Sequence, residues 1–405
     1  MGKIELLAPA GDLERLKTAI LFGADAVYIG GKKLSLRSRA GNFTIAEIAE
    51  GVRFANEHGA KVYVTVNMIP HNEDLVDVEQ YLRQLSEIGV SAIICASLHI
   101  LQISKKVDSK MEVHISTQQT ITNSSTIEYW KQMGADRVVL AREMSMKDIE
   151  TTAKVSSLPI EVFIHGGMCV NYSGSCTLSN WMTLRDANRG GCAQSCRWKY
   201  RLYDGNNKEA FDESCLFSMS SKDMQAASYI SKLIEGGISS LKIEGRMKTA
   251  YYIATVVSAY RKLIDEYYET GDISNEKIFD CIRKLQRAEN RPTSNGFYTG
   301  LPNKKGHLYG INGAGVNQDF CAVVQDYDEK NKRALIQVRN YFEIKVKFAI
   351  LSPFIAEDNF VVEMIQNEDE DFIEVANKPM ELLHINMPVR VFPGDMLFRV
   401  SEDLT

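Results

Sequence analysis

The sequence predicts an α/β fold: a TIM (β/α)8 barrel with a cysteine-rich rim insertion, followed by a small C-terminal all-β domain. Three observations lead there. Eight short β-branched segments, IELLAPA, DAVYIGG, KVYVTVN, AIICAS, EVHIST, RVVLAR, IEVFIHG and LKIEGR, recur up to Arg246. Between them, stretches such as DLERLKTAILFGA, IAEIAEGVRFANEHGA and DVEQYLRQLSEIGV repeat apolar positions at three and four residues, the period of an amphipathic helix. Strands alternating with helices in this way close into a parallel barrel. Beyond Cys321 the pattern changes to short strands between charged turns.

Taken in order, each of the first seven segments ends in a polar or glycine turn and leads into a helix-like stretch. Gly59 and Gly89 sit where such stretches end, the place for a left-handed C-cap. The interval from the seventh strand, near Gly166, to the eighth, near Leu241, is too long for one crossover. The excess, about residues 167–232, is read as an insertion on the C-terminal rim, where active sites of this fold lie. AYYIATVVSAYRKLIDEYY closes the barrel, giving a first domain of residues 1–267. Residues 268–315 read as a helical connector. Residues 316–405 read as a small β-barrel or sandwich built on CAVVQDY, ALIQVR, KVKFAIL, NFVVEMIQ, MPVRVF and MLFRV.

With 405 residues, 45% of them hydrophobic and 24% charged, the chain can bury a full core. A net charge of -5 argues against a general nucleic-acid coat, though not against a local basic patch. No apolar run approaches the roughly 20 residues of a membrane span, and MGKIELLAPA lacks the apolar core of a leader, so a cytoplasmic protein is expected. In that reducing compartment clustered cysteines are metal ligands or redox groups more often than disulfides.

Four of the eight cysteines, Cys169, Cys176, Cys192 and Cys196, fall in a C-x6-C-x15-C-x3-C pattern. They admit three readings: buried thiols with no ligand, zinc held by several of them or by three with His165, or an iron–sulfur cluster, which tolerates irregular gaps. Zinc sites favour tighter pairs than these. Strand ends supply further candidates: Arg37, Asn67, Gln118, Glu143, His165 and Glu244 as catalytic groups, and Arg142 and Arg246 as substrate contacts. Arg37, Arg142 and Arg246 together suggest an anionic substrate, since a guanidinium offers a planar fork to carboxylate or phosphate. In RWKYR, Arg197 and Lys199 alternate with aromatics, a mixture suited to phosphates and stacked bases or to a plain solvated face. His114 lies inside a strand and reads as core. HExxH, GxSxG and Walker-type motifs are absent from the sequence.

ELLAPAGDLERLKTAILFGADAVYIGG, RSRAGNF, VYVTVN, HISTQ, EVFIHGGMCVNYSGSC, NRGGCAQSCRWKY, SKDM and SLKIEGRMKTAYYIATVV resemble the collagenase-like peptidase family of unassigned catalytic type, nearly end to end. The resemblance implies, beside the family's nominal peptidase activity, the chemistry of its bacterial oxygen-independent hydroxylases. These act on RNA bases or quinone precursors and carry a 4Fe-4S cluster in the rim insertion; the RNA-acting ones use prephenate. The chain looks most like the branch that hydroxylates the wobble uridine of tRNA to 5-hydroxyuridine. By that resemblance Cys169, Cys176 and Cys192 are cluster ligands. Where many relatives have SKDLC this chain has SKDMQ, placing Gln225 at a fourth ligand position, and Ser97 stands where they often carry aspartate. Cys196 or Cys215 could supply the fourth thiolate, or one iron could stay open. A peptidase, or a partner subunit of a paralogous hydroxylase, are the alternative readings.

Overall fold

In a computed structural model of the chain, residues 2–37, 41–210, 216–288, 291–308 and 319–400 are described. Cys215 and part of the expected connector lie outside the described residues. Strands β1 (Glu5–Pro9), β2 (Ala26–Gly30), β3 (Lys61–Val66), β4 (Ala92–Cys95), β5 (Glu112–Ile115), β6 (Arg137–Val139) and β7 (Ile160–Gly166) pair in parallel, each with the next. After a short rim strand, β8 (Asp223–Gln225), strand β9 (Ser240–Ile243) pairs in parallel with both β7 and β1. The ring is thereby closed as an eight-stranded barrel.

Helices α1 (Leu13–Leu21), α2 (Ile45–Glu57), α3 (Val78–Ile88), α4 (Leu98–Val107), α5 (Ser124–Gln132) and α6 (Met146–Val155) follow the first six strands. The insertion carries α7 (Leu178–Thr183), and α8 (Ile230–Glu235) leads into β9. Caps fix where several of these begin: Asp12, Asn123 and Ser145 accept hydrogen bonds from backbone N–H groups of the first turn, and Thr44 forms a capping box with Glu47. Gly89 ends α3 at φ 86°, a left-handed position open to glycine at little cost.

Inside the barrel, Leu7, Tyr28, Tyr63, Ala92 and Ile94 form a small apolar cluster. Beside it runs a chain of buried charges. Lys242 Nζ lies 2.6 Å from Glu161 Oε1, Arg137 reaches Glu161 at 3.4 Å and Glu5 at 2.5 Å, and Tyr63 donates to Glu5 at 2.6 Å. Each ion thus has a partner, the condition for burying charge. Burial opposes ionisation of Glu161, but Lys242 and Arg137 hold its carboxyl below the usual range. His114 is fully buried at 0% exposure, its Nε2 2.8 Å from Glu112, in keeping with a core role.

α9 (Ala250–Thr270) covers the barrel wall, and α10 (Asn275–Ala288) packs against it. The connector then returns to the rim, where β10 (Thr293–Ser294) pairs with β8 and Tyr298 donates to the Phe163 carbonyl at 2.7 Å. The C-terminal domain is one eight-stranded antiparallel sheet plus a two-stranded ribbon, closed over its own apolar core. Tyr251 of α9 stacks on Phe320 with ring centroids 4.7 Å apart, joining the two domains. One expected strand is displaced: pairing occurs at Leu382–Asn386, and MPVRVF leaves the ladder. Pro388 in that segment has no N–H to donate.

Candidate functional site

Side chains alternate along a strand, so Lys242, Glu244 and Arg246, two residues apart at the end of β9, all face the barrel mouth. They line a cavity of about 150 Å3 together with Arg37, Asn67, Gln118 and Arg142 from other strand ends. Cys169, Cys176, Cys192 and Cys196 line the same cavity. Lys242 was missed by the sequence reading, although the two-residue spacing to Glu244 was its signal.

Three clamps hold the insertion over the mouth. Ser173 donates to Glu143 through its backbone N–H at 3.1 Å and its hydroxyl at 2.9 Å, and Gly174, at φ 76°, lies against the Gln118 carbonyl where a Cβ would clash. Ile69 N–H donates to the Asn188 carbonyl at 3.1 Å, Arg189 pairs with Asp74, and Asn188 Nδ2 donates to the Cys176 carbonyl at 3.1 Å. Arg197 donates to the Met168 carbonyl at 3.1 Å and lies 3.8 Å from Asp223. The first clamp fixes the Cys169–Cys176 loop, the second the segment before Cys192, and the third joins both arms.

The cavity is also lined by cations. Arg142 donates to Glu244 at 3.3 Å and to the Gly167 carbonyl at 3.0 Å, and its guanidinium lies 3.8 Å above the Phe163 ring. Arg37 sits 3.7 Å from the same Glu244 carboxylate, which, with Cys169 and Cys192 nearby, favours its charged form against the opposing effect of burial. Burial works against the Glu244 charge, yet Arg37, Arg142 and Arg246 together hold its carboxyl low. Arg246 is 3% exposed and, among the described residues, bonds neutral acceptors: Ser35 and Thr65 at 2.8 Å, Asn42 at 2.8 Å and the Arg37 carbonyl at 3.3 Å. Burial brings its pKa down to about 10, still charged at neutral pH. With Lys242 matched by Glu161, three arginines face one carboxylate. Among the described residues Gln118 Nε2 is buried without a protein partner, leaving a donor at the cavity wall.

The structure does not bring four other candidates to this cavity. Glu143 is spent on Ser173. His165 is buried behind the wall, its Nδ1 3.2 Å from the Tyr260 hydroxyl of α9, and burial lowers its pKa to about 3. A register shift on β7 between Phe163 and His165 turns it away from the mouth that Phe163 lines. Arg197 props the insertion from behind, and Lys199 is exposed on the surface.

Gln225 pairs with His165 across β8 and β7, and its Oε1 accepts from Ala227 N–H at 3.0 Å, so it too is absent from the cavity wall. Cys196 is the thiol that completes four: burial raises its pKa, Arg197 opposes that, and Cys169, Cys192 and Cys176 raise it further. None of the four is in a disulfide. Among the described residues no group of three or more His, Cys, Asp or Glu side chains is placed to hold a metal ion, and no helix is long and apolar enough to cross a membrane.

Known proteins match this chain along nearly its whole length. Residues 11–308 match peptidase family U32, and residues 316–397 match the peptidase family U32 C-terminal domain. A Bacillus subtilis (strain 168) protein named tRNA hydroxylation protein P1 is 44% identical over 400 residues, covering 98% of this chain and 94% of the relative. An Escherichia coli (strain K12) protein named tRNA hydroxylation protein P is 31% identical, covering 93% and 92%. A Porphyromonas gingivalis (strain ATCC BAA-308 / W83) protein named collagenase is 30% identical over 99% of both chains. The eight-stranded barrel, the thiol-bearing rim insertion and the C-terminal β domain are therefore the parts of a protein that belongs to peptidase family U32.

Proposed function

We propose that this protein is an RNA-modifying enzyme that hydroxylates the wobble uridine of tRNA to 5-hydroxyuridine without oxygen, using prephenate and a 4Fe-4S cluster. One observation carries the reading: four thiols and three guanidinium groups set against one carboxylate line one cavity at the barrel mouth. A buried positive excess is costly unless an anion enters. Similarity to proteins named for tRNA hydroxylation supplies the substrate class.

The donor set fits such a cluster. Cys169, Cys176, Cys192 and Cys196 line one cavity, and thiolates are the ligands such a cluster takes. Cys169, Cys176, Cys192 and Cys196 would hold the cluster, which supplies one-electron redox chemistry when bound. Arg37 lies near Cys169 and Cys192, and Arg197 near Cys196, and both offset the negative charge of thiolates. Arg37 binds a carboxylate of an anion such as prephenate, Arg142 and Arg246 add positive charge at the cavity, and Glu244 keeps Arg37 and Arg142 aligned. The free amide of Gln118 offers a hydrogen bond to a carbonyl of the entering base. The apolar floor of Tyr28, Ile94 and Phe163 excludes water beneath it.

Nucleoside mass spectrometry tests this. Total tRNA from a strain lacking this protein and any close paralogue is expected to lose 5-hydroxyuridine and its derivatives, restored by the wild-type gene and not by Cys169→Ala. Unchanged 5-hydroxyuridine in the deletion strain refutes the proposal, and the peptidase reading suggested by the collagenase relative then comes first.

A further inference from the structure

α7 is amphipathic the wrong way round. It buries Ser179, which accepts from Ala193 N–H at 3.1 Å, and Asn180 Oδ1 accepts from Ala187 N–H at 3.2 Å. Its apolar side chains face outward: Trp181 is 84% exposed, Met182 is exposed, and Leu184, just past the helix, is 94% exposed in a left-handed conformation. A tryptophan of some 200 Å2 held in water by a hydrogen-bonded scaffold is a surface awaiting a cover. The scaffold is not loose, since the same bonds lock α7 to the segments on either side of Cys192.

Charge says what the cover is. Between Gly167 and Arg201 the chain has five basic residues, Arg185, Arg189, Arg197, Lys199 and Arg201, against one acidic residue, Asp186. Arg189, Arg197 and Arg201 are paired with Asp74, Asp223 and Glu209, which leaves Arg185 and Lys199 to face a phosphate backbone. Two of the three tryptophans fall in this stretch, and Trp198 is also exposed. Tyr172, exposed as well, lies on the same insertion and lines the cavity. Exposed flat rings interleaved with arginine and lysine suit unpaired bases on a phosphate backbone, where rings stack and cations follow the strand.

We propose that Trp181, with Trp198 and Tyr172, is a stacking platform for single-stranded RNA, holding the nucleotides that flank the base delivered to the cavity. This rests on the RNA reading above and adds to it where the flanking strand lies and that its bases are unpaired there. The same rim carries the platform and the thiols, so the strand's path ends at the cavity mouth.

The test is binding of a fluorescently labelled, uridine-containing single-stranded RNA and its duplex form to the full-length protein, as wild type, Trp181→Ala and Trp181→Phe, over a range of salt. Wild type is expected to prefer the single strand. Trp181→Ala should weaken it about tenfold or more, Trp181→Phe much less, and the salt dependence should be the same in all three, because a ring and not a charge is lost. Circular dichroism controls for folding, and Trp181, being exposed, is removable without opening the core. Equal binding by wild type and Trp181→Ala overturns the platform while leaving the RNA reading standing. Wild type that binds neither RNA form overturns both. A wild-type dimer made monomeric by Trp181→Ala, with RNA affinity unaltered, assigns the face to self-association instead.

Discussion

Arg37→Met is expected to weaken binding of the anionic co-substrate about tenfold. Its guanidinium lies 3.7 Å from the Glu244 carboxylate and feels the thiols of Cys169 and Cys192. Arg142 is committed to Glu244 and the Gly167 carbonyl, and Arg246 is committed to four neutral acceptors. Arg37 therefore has the donors to spare for a carboxylate of the ligand. The Arg37 side chain is 33% exposed, so solvent screens part of the interaction, and prephenate affinity should fall by roughly tenfold, about 1.4 kcal/mol. Calorimetric titration of prephenate into anaerobically prepared wild type and variant measures this directly. Arg37→Lys should recover only part, because an ammonium keeps the charge and loses the fork. A folded Arg37→Met variant with unaltered affinity would show that the anion binds elsewhere.

Glu161→Gln should be the most destabilising single change in the barrel interior. Glu161 is 0% exposed and pairs with Lys242 at 2.6 Å and Arg137 at 3.4 Å. Arg137 retains Glu5 in the variant, but Lys242 is left as an uncompensated buried cation, at a cost of about 3–5 kcal/mol. Urea unfolding should show this as a lower midpoint at unchanged slope. The double variant Glu161→Gln/Lys242→Met should be more stable than Glu161→Gln, since it removes the orphaned charge. The pH dependence has a definite sign. A carboxyl whose folded pKa is depressed stabilises the fold above its unfolded value of about 4.3 and loses that contribution as pH falls through the folded value. Wild type should thus lose stability on acidification below about pH 4.3 faster than Glu161→Gln. An unchanged midpoint in the variant would mean that Lys242 and Glu161 are solvated.

The barrel was legible because its signals are periodic. Apolar β-branched runs and helical repeats alternate eight times, and the thiols announce themselves by their own spacing. β8 was not legible, because Asp223–Gln225 is three residues long and owes its strand geometry to β7 and β10, not to its composition. His165 misled for a related reason. Counting by twos from Phe163 points it at the mouth, and the register shift that turns it toward Tyr260 exists only once β9 is paired. Glu143 lies beside Arg142 in sequence and invites a catalytic role, yet a loop 30 residues later, through Ser173, takes up its carboxylate. Lys242 was readable and unread: the alternation that selected Glu244 and Arg246 selects it equally. Trp181 had no signal at all, since exposure of an apolar helix face is a property of what α7 buries.

The central claim is that the four rim thiols act together as ligands of one cluster. Its most direct measurement is iron and acid-labile sulfide per chain in protein purified without oxygen, for wild type and for Cys169→Ser, Cys176→Ser, Cys192→Ser and Cys196→Ser. The account predicts about four of each per wild-type chain, with a brown colour, and loss of both in every one of the four variants. A colourless wild-type preparation carrying zinc in place of iron, or one whose iron and sulfide survive these substitutions, would contradict it.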